Sequence, residues 1–110
     1  ALDLLLEAAE TDFAPSVRRA AAKGLGYLQW HKLDDSERAT AQKKAAVTLL
    51  SITQDADWAI RYAAVVGLQG LATIPQLKQE IEAKFAQMRV NDAALSVRAR
   101  IALAQEKAVS

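Results

Sequence analysis

The residues that could carry acid–base or metal chemistry are few and scattered along the sequence. His31 is the one histidine, and no second histidine or cysteine lies near it. A metal site needs several donor groups, and a general base needs a partner that orients it, so we expect no metal site and assign no catalytic residue. The adjacent Trp30 is expected to cover a seam between structural units.

Two pairs of neighbouring carboxylates fit helix starts better than acid–base catalysis. Asp34 and Asp35 precede Ser36, a candidate N-cap, and negative charge is favourable in the first turn of a helix. Asp55 and Asp57 likewise fit a turn followed by an N-cap. The four glycines all fall inside helical patterns, so the sequence has no glycine-rich phosphate loop and nucleotide binding has no support.

Composition indicates one soluble, all-helical domain. Of the 110 residues, 52% are hydrophobic, but only 5% are aromatic, which favours closely packed helices over a thick aromatic core. A formal net charge of +1 gives no long-range field to attract nucleic acid or an anionic membrane, so we expect neither as a partner. No apolar run approaches the roughly 18 residues of a membrane span. Without cysteine, the chain can form neither a disulfide nor a thiolate metal site.

A repeated pattern dominates the sequence. An Asp is followed five residues later by Val or Ile and then by Arg, and this occurs at 12–18, 55–61 and 92–98, with starts 43 and 37 residues apart. Spacing near 40 residues is typical of α-solenoid repeats built from helix pairs. Apolar residues at helical spacing lie before and after each pattern, which predicts six helices.

The predicted architecture is an all-α, right-handed α-solenoid of about three helix pairs. We expect a single domain over 1–110, with repeats at about 1–30, 35–72 and 75–109. The sequence opens on Ala1 in what reads as the middle of a helix, without an initiator Met, so we expect a fragment of a longer chain.

The third repeat departs from the pattern of the first two. Arg100 stands where Ala20 and Ala63 stand in the earlier repeats, and Gln105 stands where both earlier repeats have leucine. A frayed or capping terminal repeat would show such departures.

The Asp, the Val/Ile-Arg pair and the Ala-Ala pair that follows resemble the HEAT-repeat family, over nearly the whole chain. In that family the Asp and Arg form a ladder between neighbouring repeats, which is a structural role. The resemblance assigns the ladder to Asp12, Arg18, Asp55, Arg61, Asp92 and Arg98.

The block 57–72, DWAIRYAAVVGLQGLA, is similar to repeats of the phycobilin lyase group, and most of all to F-type subunits of phycocyanin α-subunit phycocyanobilin lyases. The resemblance implies a two-subunit lyase of E-type and F-type HEAT-like chains, which attaches phycocyanobilin to a cysteine of the phycocyanin α subunit. It implies an enzyme subunit that is active only with its partner chain. Phycocyanobilin would be a substrate and not a permanently bound cofactor, in cyanobacterial cytoplasm or plastid stroma.

The face of each second helix opposite its core stripe is expected to line the concave surface of the solenoid. The candidate ligand- or partner-binding residues on it are Trp58, Tyr62, Val65, Gln69, Arg19 and Leu95. An exposed apolar groove usually binds a partner. Trp58 and Tyr62 could stack on a flat tetrapyrrole or anchor a partner helix, while Arg19 or Arg61 could meet a propionate. Alternatively, this face packs against other parts of the same chain.

Other functions remain open at this point. Related HEAT-like chains include isomerase-lyases and a phycobilisome degradation factor. A non-catalytic HEAT-repeat scaffold, or a phycobilisome-associated adaptor, would bind a protein partner on the same concave face. A HEAT-like DNA glycosylase is the weakest alternative, because it would need a basic groove and this one offers Arg19 against Glu106.

Overall fold

Six α-helices make up most of the chain in a computed structural model that describes residues 2–109. No strand occurs in that range. The terminal Ala1, expected to lie inside a helix, and Ser110 fall outside the described residues. The helices are α1 Leu2–Thr11, α2 Pro15–Leu25, α3 Asp35–Ile52, α4 Trp58–Leu71, α5 Pro75–Asn91 and α6 Leu95–Val109, with a 3-10 turn at Trp30–Lys32 between α2 and α3.

The helix starts follow from local sequence. Pro15 and Pro75 occupy the first positions of α2 and α5, where a missing N–H costs nothing. Asp57 caps α4, because its Oδ1 accepts the backbone N–H of Ala59 at 2.9 Å. The expectation that Ser36 caps α3 is wrong: the helix begins at Asp35, and its N-cap is Asp34, two residues before Ser36.

The helices form two layers. The first helices of the three pairs, α1, α3 and α5, lie side by side, and the second helices, α2, α4 and α6, form the other layer against them. The resulting slab measures 39 × 35 × 17 Å. Helix α4 lies at its centre, between α2 and α6, and this is why seven of its residues are buried. The expected all-α solenoid of helix pairs is confirmed.

The third pair keeps both of its helices despite its departures from the repeat pattern. Helix α6 continues through Val109, and its Val97 and Ile101 are fully buried. Trp30 packs against the core from the connection between α2 and α3, as its expected seam position requires.

Candidate functional site

The repeated spacing of Asp and Arg produces contacts between successive helix pairs. Arg18 donates from Nη2 to Oδ2 of Asp55 at 2.7 Å and from Nε to the carbonyl oxygen of Ala9 at 3.0 Å. Arg61 donates from Nε and Nη2 to the two carboxylate oxygens of Asp92, at 3.0 and 3.1 Å. In these two pairs the Arg of one repeat binds the Asp carboxylate of the next repeat, and not the carboxylate of its own repeat.

Asp12 and Arg98, the first and last residues of the ladder, form hydrogen bonds only with nearby residues of their own repeats among the described residues. Asp12 accepts the backbone N–H of Ala14 at 2.8 Å, and Arg98 donates from Nη1 to the carbonyl oxygen of Asp92 at 2.6 Å. Asp55 and Asp92 accept the same backbone hydrogen bond from the residue two positions on. Each Asp therefore closes its own turn, whether or not an Arg reaches it.

The arginines also change the ionisation of their partners. Burial alone would raise the pKa of Asp92, but hydrogen bonds from Arg61 and from the backbone of Ala94, with the charges of Arg61 and Arg98, outweigh burial and lower that pKa below 3.8. Burial likewise opposes ionisation of Asp55, and the backbone N–H of Asp57, Arg18 and Arg61 together lower its pKa. Both carboxylates are ionised at neutral pH and act as structural anions.

The aromatic residues of α4 lie at the edge where the second helices begin. The rings of Trp58 and Tyr62 meet edge to face, with centroids 6.4 Å apart and planes at 81°. Trp58 is 51% exposed and Leu95, at the start of α6, is 73% exposed, whereas Tyr62 is partly buried. We call Trp58, Tyr62 and Leu95 the apolar edge. Phe13, in the turn before α2, is also almost fully exposed, which the repeat pattern did not predict.

Of the other residues expected to line the groove, not all reach the surface. Val65 is fully buried, so the expectation that it lines a binding surface is wrong. The reason is the position of α4 at the centre of its layer: α2 packs against one side and α6 against the other, so few α4 side chains reach an open surface. Arg19 remains partly exposed on α2.

Gln69, which was also expected in the groove, forms a hydrogen bond with Arg100, one of the residues that depart from the repeat pattern. Arg100 donates from Nη2 to Oε1 of Gln69 at 2.6 Å. Its Nη1 is buried and has no hydrogen-bond acceptor. The available signal was the replacement of Ala20 and Ala63 by an arginine at the equivalent position.

The described part of the chain contains neither a metal-binding cluster nor a membrane-spanning helix. Within residues 2–109, no group of three or more His, Cys, Asp or Glu side chains could hold a metal ion. In the same range, no helix combines the length and the apolar character needed to cross a bilayer. His31 is exposed in the 3-10 turn.

Comparison with known proteins supports the resemblance seen in the sequence. The chain is 63% identical over 107 residues to a phycocyanobilin lyase subunit beta of Nostoc sp. strain PCC 7120, covering 97% of this chain and 54% of that protein. It is 56% identical over 72 residues to the phycocyanin alpha phycocyanobilin lyase CpcF of Synechocystis sp. strain PCC 6803, covering 66% of this chain and 34% of that protein. The chain therefore spans about half the length, or less, of these curated relatives.

A solved structure agrees with the sequence comparison. A chain in the complex of CpcE and CpcF of phycocyanin lyase from Nostoc sp. PCC7120 superposes with a TM-score of 0.93 at 64% identity, covering 96% of this chain and 62% of that chain. The family model for HEAT repeats matches residues 2–105, nearly the whole sequence. On its repeats, its ladder and this match, the chain belongs to the HEAT-repeat family.

Proposed function

We propose that this chain is part of a subunit of a heterodimeric phycobilin lyase, which assists covalent attachment of phycocyanobilin to a cysteine of the phycocyanin α subunit. The observation that carries the proposal is the 63% identity, over 97% of this chain, to a protein described as a phycocyanobilin lyase subunit beta. The partner would be a second, E-type HEAT-like chain, as the solved CpcE–CpcF complex suggests. The setting would be cyanobacterial cytoplasm or plastid stroma, without a nucleic-acid or membrane partner.

The proposed attachment reaction requires little acid–base catalysis from the side chains of this chain. Thioether formation adds the S–H of the acceptor cysteine across a carbon–carbon double bond of the bilin: a C–S bond forms, the proton goes to the neighbouring carbon, and no group leaves. Holding the cysteine and the bilin together in the right orientation can supply much of the rate of such an addition. A rigid solenoid suits that task, with phycocyanobilin as substrate and no permanently bound cofactor.

The apolar edge is the surface we propose for contact with a protein partner. Trp58 and Leu95 expose large apolar side chains at the starts of neighbouring helices. The partly buried Tyr62 ring contacts the Trp58 ring edge to face. Aromatic residues at such positions commonly anchor protein interfaces. Arg19 offers a neighbouring positive charge to an acidic group of the partner.

The test combines the whole protein with its partner subunit, phycocyanobilin and apo-phycocyanin α subunit. Covalent bilin yield is measured by absorbance and mass after denaturation. We expect Trp58→Ala with Tyr62→Ala to lower the yield at least about ten-fold, the usual effect of removing an interface anchor. Val47→Ala is the matched control, because Val47 is similarly exposed but lies on α3, in the other layer. Absence of any attachment by the wild-type pair would reject the lyase proposal, whereas full yield from the double variant would reject only the edge.

A non-catalytic scaffold or phycobilisome-associated adaptor is the second candidate. The observation that favours it is the exposure of Phe13 together with the apolar edge, because large exposed apolar side chains suit a protein surface as well as they suit a pigment. An adaptor would retain its partner when bilin is removed, and the wild-type pair would not accelerate attachment. Capture from pigment-free and pigment-containing lysates, scored for phycobiliproteins and for a sister HEAT-like chain, separates the two functions.

A further inference from the structure

One side of α2 is open in the layer of second helices. Helix α4 packs between α2 and α6, and α6 packs on α4, but α2 is the first helix of this layer among the described residues. Each position of α4 has an equivalent in α2, 43 residues earlier. A preceding second helix would therefore pack on the face of α2 that corresponds to the face of α4 in contact with α2.

Gly24 marks this face of α2, because its equivalent in α4 contacts α2. A Cβ on Gly67 would lie 2.3 Å from the carbonyl oxygen of Ala22. A Cβ on Gly24 would have a side-chain carbon of Leu5, at 4.0 Å, as its nearest atom. The equivalent residue of α6, Ala104, is almost completely buried, so the face is closed there and accepts alanine. Residues three and four positions apart share a helix face, and we call the following residues of this face the open stripe: Val17, Ala20 and Gly24.

The open stripe is exposed in α2, whereas its equivalents in the later helices are buried. Val17 is 42% exposed, but its equivalents Ile60 and Val97 are almost or fully buried. Ala20 is exposed, but its equivalent Ala63 is fully buried. These residues are alike in size and apolar character. The difference in exposure therefore comes from the preceding helix pair, which α4 and α6 have and which α2 lacks.

The ladder is open at the same end of the structure. Asp55 accepts a hydrogen bond from Arg18 of the preceding pair at 2.7 Å, and Asp92 accepts two from Arg61, at 3.0 and 3.1 Å. Asp12 closes its own turn in the same way, but no arginine among residues 2–109 reaches its carboxylate. Guanidinium is a strong hydrogen-bond partner for a carboxylate. The neighbour that fits this end is therefore a helix pair that presents an arginine.

The relatives of this chain are long enough to contain such a neighbour. The chain covers 54% of the Nostoc phycocyanobilin lyase subunit beta and 62% of the superposed chain of the CpcE–CpcF complex. A helix pair of this kind needs roughly 40 residues. The part of either protein outside the match has room for at least one more pair.

We infer that the α1–α2 end of this structure is the docking surface for a further HEAT-type helix pair, which precedes Leu2 in the full-length protein. The second helix of that pair packs on the open stripe, and its arginine binds the carboxylate of Asp12. This inference concerns the assembly of the subunit, and it holds whether or not the subunit is a lyase. A head-to-tail stack of copies, with Arg98 on Asp12, offers the same charges, but each added copy leaves an open end and the stack does not close.

The first test places a charge on the open stripe of the full-length protein. Val17→Glu should raise the equilibrium constant of unfolding at least about ten-fold in urea titration, because the docked helix would bury the carboxylate. On an open surface the same change should leave stability unchanged or improve it, since negative charge is favourable in the first turn of a helix. Val47→Glu is the matched control, because Val47 is similarly exposed on α3. Wild-type stability of Val17→Glu would overturn the docking surface.

The second test isolates the arginine. Asp12→Asn keeps an oxygen that can accept the backbone N–H of Ala14, so it removes the charge without removing the turn. It should raise the unfolding constant of the full-length protein on the order of ten-fold, as loss of a charge-assisted hydrogen bond does. The arginine of the preceding pair, identified by the Val/Ile-Arg pattern, is then changed to Gln in both backgrounds. Its loss should cost several-fold less in Asp12→Asn than in wild type. Equal costs in the two backgrounds would overturn the contact.

The same titrations distinguish the other possible occupants of this end. They are repeated with and without the partner subunit and at two protein concentrations. Effects of Val17→Glu and Asp12→Asn that are present in the subunit alone and independent of concentration support a preceding pair of the same chain. Effects that require the partner subunit would assign the surface to that subunit, and effects that grow with concentration would assign it to a second copy. Either result overturns the inference.

Discussion

Arg61 and Asp92 are joined by two hydrogen bonds across successive helix pairs, and their side chains are only 15% and 5% exposed. The same guanidinium group also donates from Nη1 to the carbonyl oxygens of Asp55 and Ala56. One side chain therefore links the turn of its own repeat to the turn of the next. Neighbouring repeats are therefore connected by these hydrogen bonds as well as by apolar packing.

Removing Arg61 should destabilise the fold strongly. Arg61→Ala leaves the Asp92 carboxylate nearly buried without its charged partner, and we expect a loss of about 3 kcal/mol in the free energy of unfolding, measured by urea titration. Asp35→Asn is the control, because it breaks an ion pair whose acid is 94% exposed and should cost less than about 1 kcal/mol. Similar losses in the two variants would contradict a special role for the ladder.

The ladder also predicts the dependence of stability on pH. Because the folded-state pKa of Asp92 is lowered below 3.8 by its hydrogen bonds and neighbouring arginines, its stabilisation is complete above the unfolded-state pKa and is lost as the pH falls through the folded-state pKa. Asp92→Asn lacks this titration. The stability gap between wild type and Asp92→Asn should therefore be largest near neutral pH and shrink below about pH 4. A gap that stays constant into that acid range would show that the carboxylate is not the titrating group.

The fold could be predicted from sequence because its cues are local and repeated. The Asp turn, the helical spacing of small apolar residues and the Pro at two helix starts each specify a short segment, and their recurrence specifies the stacking. The burial of Val65 could not be predicted in this way. A helical wheel gives the direction of a side chain, but only the packing of the neighbouring helices around α4 determines whether that direction is open.

The candidate sites, like the fold, could be predicted from the sequence only in part. Trp58 and Leu95 were found as exposed apolar residues because their positions at helix starts are visible in the sequence. The hydrogen bond between Arg100 and Gln69 was not predicted, although the arginine at the position of Ala20 and Ala63 could be read from the alignment of repeats. The repeat spacing places Arg100 on its helix, but it does not tell which side chain of the neighbouring helix the guanidinium group reaches.

The helix contact through Gly67 predicts a contrast between two glycines at equivalent positions of the first and second repeats, Gly24 and Gly67. Gly67→Ala would place a Cβ 2.3 Å from the carbonyl oxygen of Ala22, so the helices must separate, and we expect a loss of about 3 kcal/mol or more. Gly24→Ala is the matched control on α2: the nearest atom to its added Cβ is a side-chain carbon of Leu5 at 4.0 Å. That change should stabilise the protein by up to about 1 kcal/mol, because alanine is the better helix former. Thermal midpoints moving the same way in both variants would rule out the close contact.

Replacement of Trp58 should change the stability of the fold little, so a Trp58 variant can be used to test function. Its side chain is half exposed and belongs to the first turn of α4, so Trp58→Ala should lower the free energy of unfolding by no more than about 1 kcal/mol. Leu68→Ala, on the same helix, removes a fully buried side chain and should cost about 2–5 kcal/mol. Urea titration of both variants measures the contrast. If Trp58→Ala were as costly as Leu68→Ala, Trp58 would be a packing residue, and any lost bilin attachment in its variants would have to be ascribed to unfolding.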